Sequence, residues 1–147
     1  MSLADRLVED MKAAMKAKDK DTLSVIRMVR AAINNAQIDR GQPLSDAEVT
    51  EILAKELKQR NDSLREFSKA GRADLTAKTE REIDILKRYL PEQLSEEQLR
   101  LLVQDTIQAT GARSKADMGK VMAALMPQVK GRADGKLVNR LVQEALS

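Results

Sequence analysis

The chain contains no cysteine, histidine or tryptophan, and its 147 residues include a single tyrosine and a single phenylalanine. Without cysteine there is no disulfide framework, thiolate zinc site or cysteine nucleophile. Without histidine the commonest general base and metal ligand is missing. Any chemistry would rest on Asp, Glu, Lys, Ser or Thr, and no cofactor is expected. No apolar run approaches the ~20 residues of a membrane span, and no signal peptide opens the sequence. Resting on these absences, the expectation is a cytoplasmic protein with no membrane partner. Strand-forming β-branched runs are absent as well.

What remains is a soluble, folded composition, with 42% hydrophobic and 33% charged residues. A core of Leu, Ile, Val, Ala and Met is a helical palette, so the predicted fold class is all-α. Apolar residues recur at helical spacing through Leu3, Leu7, Val8, Met11, Ala14 and Met15. The polar run Lys16 to Lys20 ends this first helix, and Asp21 is positioned to cap a second. That one carries Leu23, Ile26, Val29 and Ile33 and breaks at Gly41-Gln42-Pro43.

Ser45 with Glu48 reads as a capping box that opens a third helix, running to Gly71. At roughly 24 residues it would span about 36 Å. Asp74 is placed to cap a fourth helix, which Pro91 stops. Ser95 with Gln98 forms another capping box, for a fifth helix closed by Gly111. Ser114 is placed to cap a sixth that Pro127 stops, and Asp134 a seventh. The best boundary is Tyr89-Leu90-Pro91-Glu92-Gln93-Leu94, which divides the chain into an N-terminal four-helix part, 1–90, and a C-terminal three-helix part, 91–147.

Net charge is only +3, but its distribution is uneven. Residues 113–140 hold seven bases (Arg113, Lys115, Lys120, Lys130, Arg132, Lys136, Arg140) against two acids, Asp117 and Asp134. Within this stretch, Gly131-Arg132-Ala133-Asp134-Gly135-Lys136 superficially suggests a phosphate loop. A nucleotide-binding loop needs four residues between its glycines and Ser or Thr after the lysine. Here three residues intervene and Leu137 follows, so that reading is rejected. The same residues can still meet nucleic-acid phosphates, because basic groups and a helix N-terminus attract anions. The plainer reading is a tight interhelical turn with solvated charges.

Other clusters have plain readings too. Met118, Met122 and Met126 fall at four-residue intervals and suit core packing. Gly119 lies inside that helix, where it costs about 1 kcal/mol relative to Ala, and would permit a close approach by a helix or an RNA backbone. Arg60, Arg72 and Glu80, with Arg27 and Arg30, suit pairing between helices. Glu80 and Asp84 share a helix face while Glu82 does not, and no acidic loop accompanies them, so a metal site is not expected.

Several segments resemble the GatB/YqeY family. They are Tyr89-Leu90-Pro91-Glu92-Gln93-Leu94-Ser95-Glu96-Glu97, Met118-Gly119-Lys120-Val121-Met122, Leu125-Met126-Pro127 and Val129 through Asn139. In the first half Lys58 through Ser63 and Ala70 through Leu75 look similar. The likeness covers nearly the whole chain and is nearest to the stand-alone YqeY-like proteins. It implies a C-terminal part similar to the tail domain of the B subunit of the tRNA-dependent amidotransferase, a domain that contacts tRNA away from the chemistry. By that resemblance tRNA, or an aminoacyl-tRNA-related enzyme, is the expected partner. Lys120, Lys130, Gly131, Arg132, Gly135, Lys136 and Arg140 are the expected RNA-binding residues. The family's catalytic sites lie in parts this chain does not match, so no catalytic residue is expected. The alternatives are a protein–protein adaptor and an accessory of a glutamine-dependent carbon–nitrogen ligase.

Overall fold

Helix formation follows the apolar spacing throughout. A computed structural model describes residues 1–147 and contains seven α-helices, one 3-10 turn and no strand. The chain divides into two compact units, Met1–Leu90 and Pro91–Ser147.

The first unit comprises α1 (Leu3–Ala17), α2 (Lys20–Arg40), α3 (Asp46–Lys69) and α4 (Ala73–Lys87). Its core is aliphatic, with Ile26, Leu53 and Leu86 fully buried. Each such side chain contributes about 1.5–3 kcal/mol by leaving water. The single tyrosine, Tyr89, closes the core just past α4.

The cap of α2 is Asp19, not Asp21. Asp19 is extended (φ −83°, ψ 90°) and accepts from the Thr22 N–H at 3.1 Å and the Thr22 hydroxyl at 2.7 Å. Asp21 lies two residues too late, already inside the first turn, and pairs instead with Arg81 of α4 at 3.0 Å. Lys18 takes the left-handed conformation (φ 56°) that ends α1, and its N–H reaches the carbonyls of Ala14 and Met15. The capping box of α3 forms as read, Ser45 and Glu48 each accepting a backbone N–H of the other. At α4 the expected Asp74 cap does not form, because Asp74 sits inside the first turn and takes the Arg72 side chain.

The second unit comprises α5 (Glu96–Thr110), a 3-10 turn (Lys115–Asp117), α6 (Met118–Val129) and α7 (Gly135–Leu146). Leu99, Val121, Leu125, Val138 and Val142 fill its core without any aromatic ring. The Ser95–Gln98 capping box forms at α5. Ser114 caps nothing with its side chain, since the 3-10 turn intervenes before α6. Pro127 does not stop α6, which continues to Val129. Proline lacks an N–H and so forgoes one helical bond. So close to the end the loss is local, and the Gln128 amide donates to the carbonyl of Ala124 at 3.1 Å. Of the methionine stripe, Met118 and Met122 pack on the core while Met126 is 38% exposed. A Cβ added at Gly119 would meet nothing within 4 Å, so no neighbouring helix uses the room expected there.

Candidate nucleic-acid interface

The α6–α7 loop is built by hydrogen bonds to a strip of chain some forty residues earlier. The Leu94 N–H donates to the carbonyl of Arg132 at 2.9 Å. The Gln93 amide donates to the carbonyl of Gly131 at 2.7 Å. Arg132 answers through its side chain, Nε donating to the carbonyl of Glu92 at 3.1 Å and Nη1 to that of Gln128 at 3.4 Å. Gly131 holds φ 75°, where a side chain would be strained. The segments around Gln93 and around Gly131, far apart in sequence, are therefore one local structure.

These bonds sort the seven residues expected to meet RNA. Arg132 is occupied with three-way bracing of the loop and is only half exposed. Gly131 serves the turn and presents its carbonyl inward to Gln93. Arg140 pairs with Glu96 at 3.0 Å and Glu144 at 3.7 Å, in a network that Arg100 completes from α5. Lys120, Lys130 and Lys136 are exposed. Gly135, the first residue of α7, is exposed and has open space where a Cβ would go.

The acids of this region are turned to backbone N–H groups. Asp117 accepts from the Arg113 N–H at 2.8 Å, and that bond, more than the nearby charges of Lys120 and Arg113, holds its carboxyl below the usual range. Asp134 caps α7 by accepting from the Lys136 N–H at 3.1 Å. The N-terminus of α7 thus already holds a carboxylate, and a phosphate aimed at it would meet like charge. Exposed lysine side chains, rather than the helix end, are where an anion would be met.

In the first unit the ionic cluster is centred on Arg60, only 7% exposed. Its Nη1 lies 3.3 Å from Glu56 and its Nε 3.7 Å from Glu82, while Nη2 donates to Sδ of Met28 at 3.3 Å. Nε itself has no hydrogen-bond partner. The expected partners were different. Arg30 instead donates to Sδ of Met11 at 3.2 Å, and Glu80 is exposed. Burial of Arg60 was legible in its spacing, since Val49, Leu53, Leu57 and position 60 share one face of α3. Glu80 and Asp84 point to solvent, and no group of three acidic side chains converges anywhere.

The class is an all-helical chain of two small units, the second of which joins a glycine–arginine turn to its own opening strip after a Leu-Pro break. Residues 4–146 match the family described as Yqey-like protein, and the chain belongs to that family. Among its relatives is "Altered inheritance of mitochondria protein 41, mitochondrial" of Pyrenophora tritici-repentis, 32% identical over 144 residues, covering 96% of this chain and 79% of the relative. Proteins of the same name from Lachancea thermotolerans and Saccharomyces cerevisiae (strain YJM789) are 40% and 38% identical over 85 and 82 residues. Those alignments cover 57% and 55% of this chain and 46% and 44% of the relatives, so the match spans about half the length of these yeast proteins. The relatives are named as mitochondrial, which overturns the cytoplasmic expectation. That expectation rested on missing segments, and a missing segment carries no information against an organelle.

Proposed function

We propose that the chain is a non-catalytic accessory protein whose second unit binds structured RNA, tRNA in the first instance, through Lys120, Lys130 and Lys136. The observation that supports this most directly is the handling of charge between residues 113 and 140. Each carboxylate of that stretch accepts a backbone N–H, and all three lysines are exposed on a segment with seven bases to two acids. The resemblance of the C-terminal part to the amidotransferase tail domain favours tRNA as the RNA class. Arg132 and Gly131 then shape the loop, and Arg140 ties α7 to α5. The relatives' names favour a mitochondrial setting.

Contacts of this kind position a phosphate backbone without reading sequence. Three such contacts contribute between about −2 and −3 to the slope of log affinity against log salt. Replacing Lys120, Lys130 and Lys136 with Gln should remove that contribution and leave the melting temperature unchanged. An unchanged slope would refute the assignment. A protein partner is the second reading, favoured by Leu101 at 57% exposure and Met126 on the same unit. It predicts that Leu101→Gln, not the lysine changes, abolishes association.

A further inference from the structure

The first unit carries a second basic surface that the sequence reading passed over as a helix stop. Residues 12–20 hold Lys12, Lys16, Lys18 and Lys20 against one carboxylate, Asp19. All four lysines are exposed, and none takes an ion-pair partner. Asp19 is spent on capping: bonds from Thr22 hold its carboxyl low, and the nearby charge of Arg88 adds to the effect. Arg88, from the end of α4, is therefore brought to the same corner as the start of α2. The next acid, Asp21, is taken by Arg81. Glu9 and Asp10 are the remaining carboxylates on that part of α1, and Asp10 is taken by the Tyr89 hydroxyl and Arg6.

Three features of this corner run against local stability. Lys12 and Lys16 are like charges one turn apart on α1, which is destabilising. Lys18 occupies the left-handed position that ordinarily goes to glycine. Lys20 is the first residue of α2, at the positive end of the helix dipole, where anions are favoured and cations are not. Local rules broken together at one place are the mark of a functional surface.

We infer that the α1–α2 corner is a second phosphate-backbone contact surface, used on RNA. The class of ligand rests on the reading proposed above; the surface itself does not. An RNA fits better than a membrane because the apolar face of α1, Leu3, Leu7, Met11 and Ala14, is turned into the unit's core and cannot enter a bilayer. Only Met15 among the large apolar residues of α1 beyond Met11 lies outward, at 52% exposure. Lys12 and Lys16 stand ~6 Å apart along the axis, a spacing suited to successive phosphates of one strand. Lysine supplies the mobile point charge such a contact needs, without base readout.

The test uses the full chain and total tRNA, with a variant carrying Lys12→Gln, Lys16→Gln, Lys18→Gly and Lys20→Glu. The last two changes restore what the helix ends prefer, so the melting temperature should hold or rise while RNA binding weakens. The expected loss is roughly tenfold in affinity at physiological salt, with the salt slope shallower by about 3. Wild-type affinity and slope in this variant would overturn the inference. So would corner-dependent binding to anionic phosphatidylglycerol vesicles with tRNA binding unaltered. If the α6–α7 lysine variant loses binding and the corner variant does not, this inference alone fails. If only the corner variant loses binding, this inference stands and the C-terminal assignment fails. No tRNA binding by the wild-type chain at low salt would remove both.

Discussion

Tyr89 is the most heavily engaged side chain of the first unit. Its hydroxyl donates to Asp10, the Arg6 guanidinium lies 4.7 Å above its ring, and 7% of it is exposed. Burial, reinforced by the hydrogen bond and negative charge of Asp10, raises its pKa well above the ordinary value of 10.0. The folded state therefore favours the neutral phenol. The resulting stability is fully present below pH ~10 and is lost as pH rises beyond it toward the raised folded value. Melting temperature should fall through that alkaline range, and Tyr89→Phe should flatten the fall while costing about 1 kcal/mol at neutral pH. A steep alkaline limb retained in the variant would count against Tyr89 as its source. Two glycines offer a paired comparison. Gly131→Ala should cost about 1–2 kcal/mol because its φ is 75°. Gly135→Ala, at an ordinary helical start with open space beside it, should gain about 0.4–1 kcal/mol. Denaturant titration of both variants reads the difference directly.

Among the elements, the helices that announced themselves best were those with a full capping box, α3 and α5. There the Ser and its Glu or Gln partner satisfy each other's backbone N–H groups, so the start is encoded within four residues. Starts that depended on choosing between neighbouring acids were misplaced. Asp19 and Asp21 look alike in sequence, and only the presence of Arg81 on another helix decides which one is needed elsewhere. Likewise, nothing local to α6 reveals that Lys115–Asp117 would form a 3-10 turn. The candidate interface was legible as a concentration of bases. Which bases were available was not, because Arg132 is claimed by carbonyls of Glu92 and Gln128 and Arg140 by Glu96. Arg60 shows the same limit, since its place on the apolar face of α3 is local but its partner Glu82 comes from α4. Truncating it strands two partly buried carboxylates. Arg60→Ala should thus destabilise the first unit by about 3 kcal/mol in chemical denaturation. A loss under 1 kcal/mol would show that solvent already screens the cluster.

Taken whole, the chain is two cores of unequal size, each with its own hydrophobic cluster. Small cores leave little margin over conformational entropy. The second unit should therefore melt before the first, giving thermal or urea transitions that do not coincide between probes of the two units. A single coincident transition would show that they unfold as one cooperative body. Basic surface is found on both units, at residues 12–20 and 113–140, while net charge stays near balance. Such a molecule would be overlooked by any screen for nucleic-acid binders that relies on total charge.

The placement of Tyr89 has an optical consequence. It and Phe67 are the chain's only aromatic residues, both lie before residue 91, and the second unit is consequently dark in the near ultraviolet. Tyrosine emission is thus an intrinsic, label-free gauge of one unit alone, while far-ultraviolet dichroism sees the helices of both. Because Arg88 adjoins Tyr89 and its charge is felt at Asp19 in the lysine corner, RNA settling on that corner should disturb this single emitter. RNA held only by the second unit has no fluorophore of its own to disturb.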